Sequence, residues 1–183
     1  MMQKFVDAGM HLHMYAQLMV PQAQYDEEYG DFIELGGSKG LTHLHQNVPF
    51  DQMPSELARF DFGLSAVPEV DLPGHFARYT KTKAHYAYCG SARVTDYMDA
   101  GLPVISSDPL RFQNFVLRRS GTLVPCNQAL LDNPRAILEP YCNSEVRKAT
   151  IKKHSDYTVA AQSPRLSEFY EKLLRKFGEL NSG

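Results

Sequence analysis

Two rhythms of apolar and polar residues run along this chain. Val94, Tyr97 and Met98 fall at i, i+3 and i+4, the spacing of one helix face. Val104 and Ile105 open a short apolar run, as in a strand buried on both faces of a parallel sheet. Gly101 suits the position just past a helix, and Pro103 is tolerated at the first residue of a strand. Ser91 suits the N-cap, its hydroxyl accepting from an unpaired N–H of the first turn. Residues 91–108 therefore read as a capped helix, a glycine stop and a buried strand.

The same alternation extends along most of the chain. Helices are predicted near residues 4–8, 25–35, 50–59 (with Asp51 or Ser55 as cap), 110–119 and 129–139, the last broken at Pro134. Strands are predicted at 11–16, 41–46, 61–67, 103–107 and 121–125. Residues 68–90 read as a long irregular segment rich in Tyr, His and Lys. Strands alternating with helices at this spacing predict an α/β fold, a Rossmann-like parallel sheet with helices on both faces. Ligands of such sheets bind outside the C-terminal ends of the strands. Leu166, Phe169, Tyr170, Leu173, Leu174 and Phe177 recur on one helix face, with Arg165, Lys172, Arg175 and Lys176 on the other. This predicts a C-terminal amphipathic helix. The expected layout is a nucleotide-binding unit over residues 1–155 and that helix over 156–178.

Composition narrows the class. With 183 residues, 43% of them hydrophobic and 22% charged, the chain is expected to fold around a sizeable core. The net charge of −2 gives no general case for nucleic acid. The charge is uneven, at −6 over residues 1–100 and +4 over 101–183. A basic C-terminal helix leaves room for a peripheral membrane contact. Cys89, Cys126 and Cys142 have no metal or redox spacing, and the start lacks a signal-peptide core, so a cytoplasmic location is expected.

Several constellations carry candidate chemistry. Arg93 and Asp96 share a helix face near the positive end of the helix dipole, either as a plain surface pair or as an anion and hydroxyl site. His11/His13 and His43/His45 each lie at i, i+2, one strand face per pair. Neighbouring strands would gather four imidazoles, a set Zn²⁺ takes, but no Cys or carboxylate completes a metal spacing and no metal is expected. The basic and aromatic run at 78–88 has a composition that serves single-stranded nucleic acid, yet no nucleic-acid module is recognisable. Ser106, Ser107 and Asp108 form no nucleophile elbow.

Leu57-Ala-Arg-Phe-Asp-Phe-Gly-Leu, followed by Arg93-Val-Thr-Asp-Tyr-Met-Asp-Ala-Gly-Leu-Pro-Val-Ile-Ser-Ser-Asp, resembles the C-terminal, donor-binding domain of GT-B glycosyltransferases of the group 1 type. Asn47-Val-Pro-Phe-Asp-Gln-Met-Pro-Ser-Glu-Leu and Gly121-Thr-Leu-Val-Pro resemble neighbouring stretches of that family. The resemblance covers roughly residues 5–140 and implies a nucleotide-diphosphate sugar as donor substrate, with no further cofactor. It implies that Asp96 holds the ribose hydroxyls. Arg93 and the helix start at Ser91, with the N–H groups of Ala92, Arg93 and Val94, would hold the diphosphate. The strand end near His45, Gln46 and Val48 would lie against the base.

The departures from that pattern matter too. Tyr88 stands where the family often has a second glutamate near the sugar. The family's glycine-rich turn is replaced by residues 68–90, and its basic pair after the first strand has no counterpart. Lys81 and Lys83 are candidate replacements, and His75 and His85 weaker candidates to assist transfer. The chain reads as lacking the first strand of the unit and the acceptor-binding N-terminal domain, supplied in cis or by a partner subunit. The expected function is donor binding within a glycosyltransferase. The alternative is a non-catalytic nucleotide-binding or scaffold module of the same fold.

Overall fold

Glycine and proline punctuate the chain much as the pattern predicts. The computed structural model describes residues 1–16, 25–46, 48–66, 87–88, 91–157 and 159–180. Helix α1 (Met2–Asp7) stops before Gly9, whose φ is +73°, and strand β1 (Leu12–Ala16) follows. Helix α2 (Tyr25–Leu35) leads through a 3-10 turn to β2 (Thr42–Gln46). Helix α3 (Met53–Leu57) precedes β3 (Gly63–Ser65). Helix α4 (Ala92–Asp99) and β4 (Val104–Ser106) come next, then α5 (Arg111–Ser120) and β5 (Leu123–Pro125). The chain finishes with α6 (Gln128–Asp132), α7 (Pro134–Leu138), α8 (Ser144–His154) and α9 (Val159–Leu180).

The strands form two short parallel sheets flanked by helices. One joins β1 to β2, with His13 opposite His43 and Tyr15 opposite His45. The other has the order β3-β4-β5, with Gly63 opposite Val104 and Val104 opposite Leu123. No ladder joins β1 to β3 among the described residues. The alternating pattern predicts one sheet. It identifies strands and their direction, but not which edges meet, so the division is invisible to it.

Other boundaries differ for local reasons. The helix predicted over 50–59 is α3 alone. Gln52 stands at its N-cap without a side-chain bond, so neither Asp51 nor Ser55 caps it. Gly121 belongs to the end of α5, at φ +71°, rather than to a strand. There the Thr122 N–H reaches back to the Leu117 carbonyl at 2.9 Å. Helix α8 had no apolar period to announce it. It is capped by the Asn143 side chain, which accepts from the Val146 N–H, and it packs beside α4 and α5. Residues 67–86, with His75, Lys81, Lys83 and His85, lie outside the described residues, as do Asn47 and Cys89.

Three apolar clusters hold the layers. Phe5, Ile105, Val124, Leu130 and Leu138 form the largest, with Leu12 and Leu64 packed against it. Val94, Met98, Val104 and Leu117 join α4 and α5 to the central strand. Leu57, Ala100 and Leu102 tie α3 to the end of α4. Gly63 is required where it stands, because a Cβ there would meet the Tyr97 ring at 2.3 Å. Arg147 on α8 fastens the approach to β3 by donating to the carbonyls of Ala58 and Phe60. Leu166, Phe169, Tyr170, Leu174 and Phe177 on α9 are each more than half exposed. No helix among the described residues is long and apolar enough to cross a membrane.

Leu102 is fully enclosed, whereas Phe50 is 84% exposed. Leu102→Ala is expected to cost roughly 2–5 kcal/mol through lost burial and the cavity left behind. Phe50→Ala should change stability by no more than about 0.5 kcal/mol. Urea unfolding of the two variants checks the contrast.

Candidate functional site

A cleft of about 1140 Å³ opens between the two sheets. Its apolar part is lined by Phe5, Leu12, Leu64, Ile105 and Leu138. Its polar part includes Tyr15, Arg59, Arg93 and Asp96. A concave site with mostly apolar walls and a few polar groups is the usual form of a small-molecule site.

The start of α4 is positioned by one buried side chain. Gln113 on α5 is 2% exposed. Its Nε2 donates to the hydroxyls of Ser65 and Ser106, each at 2.9 Å. Its Oε1 accepts from the Ser91 N–H at 3.5 Å. Ser65 and Ser106 are the last residues of β3 and β4, so the amide fixes α4 beside the C-terminal ends of that sheet. Ser91 does occupy the N-cap, with an extended backbone, but its hydroxyl makes no capping bond, contrary to the sequence expectation. Its oxygen is not needed to fix the turn, since the Ser91 carbonyl already takes the Val94 N–H at 3.0 Å.

Arg93 and Asp96 both line the cleft. No ion pair joins them among the described residues, so they are not the surface pair that spacing alone allows. Partial burial, and then the charge of Asp99, raises the Asp96 carboxyl above the ordinary range. Asp99 itself turns to α8, where it meets His154 Nδ1 at 3.0 Å.

The other predicted residues are not brought to the cleft wall. Val94 is buried in the core, and its N–H is used inside the first turn. This removes it from the donors expected for a diphosphate. The N–H groups of Ala92 and Arg93 have no partner among the described residues. His45 stacks on Tyr15 at 4.6 Å, one ring behind the cleft. Val48 and Ser91 are partly buried, and Ala92 is exposed. Tyr88 is 78% exposed.

A histidine ladder covers one face of the β1–β2 sheet. His11 Nδ1 lies 2.8 Å from His43 Nε2, and His13 Nδ1 lies 2.8 Å from His45 Nε2. The cause is register. Odd residues of both strands share a face, and parallel pairing sets His13 opposite His43. The ring nitrogens of His11, His13 and His43 lie within 4.8 Å of one another. Yet the rings of His13 and His43 stack at 14°, and those of His11 and His43 at 19°. The in-plane lone pairs of the stacked His13 and His43 rings run side by side instead of converging, and His11 Nδ1 and His43 Nε2 are turned to each other in their own hydrogen bond. These rotamers therefore make a hydrogen-bonded ladder, and a shared tetrahedral ion would need them to turn.

Sequence reasoning missed a second polar group at the cleft. The Tyr15 hydroxyl donates to Glu56 Oε1 at 2.6 Å, and Arg59 Nη1 donates to both oxygens of that carboxylate at 2.8 and 3.0 Å. The hydrogen bond from Tyr15, and then that from Arg59, holds the Glu56 carboxyl below its ordinary value. Burial, followed by the bond to Glu56, pushes the Tyr15 phenol well above its own. Tyr15 extends the His11/His13 face by one i+2 step, which was the available signal.

Burial, and then the fields of His43, His45, His11 and Arg59, lowers the His13 pKa from 6.5 to about 4. Burial first, and then His11 and His45, also lowers His43. A lowered histidine favours the neutral folded form. Its contribution is complete above the unfolded value and lost as pH falls toward the folded one. Stability should therefore decline as pH drops from 6.5 toward about 4, less steeply in His13→Asn. Ring-proton NMR should show His13 titrating near 4, and a midpoint near 6.5 would contradict the stacked arrangement.

No family model matches this chain, and no curated protein or solved structure matches it either.

Proposed function

We propose that the chain is a Rossmann-like, GT-B-type unit that binds a nucleotide-diphosphate sugar as the donor half of a glycosyltransferase. The observation that carries this reading is the placement of Arg93 and Asp96. Both line one cleft, unpaired with each other, at the start of a helix beside strand C-terminal ends. The resemblance of residues 93–108 to the donor-binding block of that family supports the same reading. A guanidinium suits the diphosphate because it donates two parallel hydrogen bonds to phosphate oxygens. The N–H groups of Ala92 and Arg93, without a partner among the described residues, would add donors at the positive end of the helix. A carboxylate accepts from the two ribose hydroxyls, and Asp96, one turn further along the helix, would supply it. The Tyr15 ring at the cleft, with His45 stacked behind it, offers an aromatic surface for a base.

Transfer needs an acceptor brought to the far side of the donor, and we assign that to a second domain or a partner subunit. The free thiols of Cys126 and Cys142 fit a reducing compartment such as the cytoplasm. A binding module without turnover is the second reading. It is favoured by exposed Tyr88, which stands where a carboxylate near the sugar would be expected.

Isothermal titration with UDP, GDP and ADP tests the reading. One of the three should bind at a single site. Arg93→Ala and Asp96→Ala should each weaken it at least about ten-fold, or 1.4 kcal/mol. Arg119→Ala, on α5, should not. Unchanged affinity in both cleft variants rejects the assignment.

A further inference from the structure

The face that carries the histidine ladder holds more ring nitrogens than its hydrogen bonds use. Parallel register brings His11, His13 and His43 together, and one nitrogen from each lies within 4.8 Å of the other two. Two of these rings already point at each other, with His11 Nδ1 and His43 Nε2 at 2.8 Å. A neutral imidazole carries one proton on its two nitrogens, so this contact joins one N–H to one lone pair. A cation placed between the two nitrogens takes the place of that hydrogen. Nitrogens bound to one tetrahedral Zn²⁺ lie about 3.3 Å apart, so the pair has to open by only about 0.5 Å. His13 is the third donor. Its Nδ1 meets His45 Nε2 at 2.8 Å, and its Nε2 has no hydrogen-bond partner among the described residues. With the proton on Nδ1, held by His45, the lone pair stands on Nε2. Metal-bound imidazoles almost always donate their other N–H to a neighbour in this way, which fixes tautomer and ring orientation.

We infer that His11, His13 and His43 form a binding site for a divalent first-row transition cation, Zn²⁺ above all, with His45 as the outer support of His13. The donor set decides the class of ion. Three neutral imidazoles suit Zn²⁺, Cu²⁺ or Ni²⁺, whereas Mg²⁺ and Ca²⁺ take oxygen ligands. Among the described residues no carboxylate or thiol joins the group. Three protein ligands leave a fourth position to water. When the ion enters, the proton of the His11–His43 contact passes to the other nitrogen of its own ring, so both imidazoles remain neutral ligands. Arg59, whose field reaches His13, is offset by its own carboxylate partner Glu56. The obstacle is stacking. The His13 and His43 rings lie 14° from parallel, and they must turn before their lone pairs meet. Solvent gives them room, because His11 and His13 are open to it and His43 is partly so. This inference stands apart from the nucleotide reading, and each survives failure of the other.

The probe is Zn²⁺ alone, added to the full chain after treatment with a chelator. Isothermal titration should show one ion per chain, with a Kd of about 10 μM or tighter. His11→Asn and His43→Asn each remove one ligand and leave the backbone ladder of β1 and β2 in place. Each should weaken binding at least about ten-fold. A second measurement uses the unmutated chain and so depends on no variant folding. In NMR spectra Zn²⁺ should shift the ring signals of His11, His13 and His43. Those of His154, buried beside Asp99 on another face, should stay in place. Three results would overturn the inference. They are binding weaker than that Kd, equal affinity in both variants, or ring signals of the three histidines that do not move.

Discussion

A strand inside a parallel sheet has its backbone groups satisfied on both sides, and among the described residues β1 and β3 have ladder partners on one. The rest of the molecule is arranged around that asymmetry. Among the described residues the two sheets are linked by side-chain packing and by no ladder. Phe5, Leu12, Leu64 and Leu138 close the apolar end of the gap, and Arg135 and Arg147 fasten the chain segments that lead into each inner strand. The cleft follows directly, as the space left where two neighbouring edges do not pair. Its walls combine core-type residues with Arg59, which follows α3, and with Arg93 and Asp96 of α4.

Gln113 is the counterpart of that break on the other sheet. A buried amide must find partners for both its oxygen and its nitrogen. Here they come from the ends of β3 and β4 and from the residue before α4. One side chain thereby sets the height of a helix start against two strand ends. Arg93 and Asp96 follow within that helix, so their position in the cleft depends on an interaction neither of them makes. Close packing of Tyr97 over Gly63 fixes the same helix from its inward face. Packing and the buried amide hold the helix without using the Arg93 and Asp96 side chains.

The elements themselves were largely legible in the sequence. The α2 and α4 boundaries, the glycine stops at Gly9 and Gly101, and the buried character of β4 follow from period, caps and apolar runs, which are local. The division of the sheet was not legible, because strand pairing depends on edges that no single segment encodes. Helix α8 was missed because its buried residues, Thr150 and His154, are polar and leave no hydrophobic period. At the site, Arg93 and Asp96 were legible from spacing and from the family-like block. Gln113 was not, although Leu110, Gln113, Asn114 and Leu117 share one inward face at i, i+3, i+4 and i+7 and all four are buried. A polar pair inside an apolar stripe is a sign of an internal hydrogen bond, and it could have been read as such. The Tyr15–Glu56–Arg59 group joins elements 41 residues apart and needed the fold.

The central claim is that, among the described residues, β1 and β3 leave their inner edges unpaired beside a shared cleft. Native-state amide exchange on the chain alone, residue by residue, tests it most directly. The account predicts alternation: slow exchange at Leu12, Met14, Gly63 and Ser65, whose N–H groups point to β2 or β4, and fast exchange at His13, Tyr15, Leu64 and Ala66. Equal protection of the two sets would mean that the inner edges are already paired, and would contradict the divided sheet.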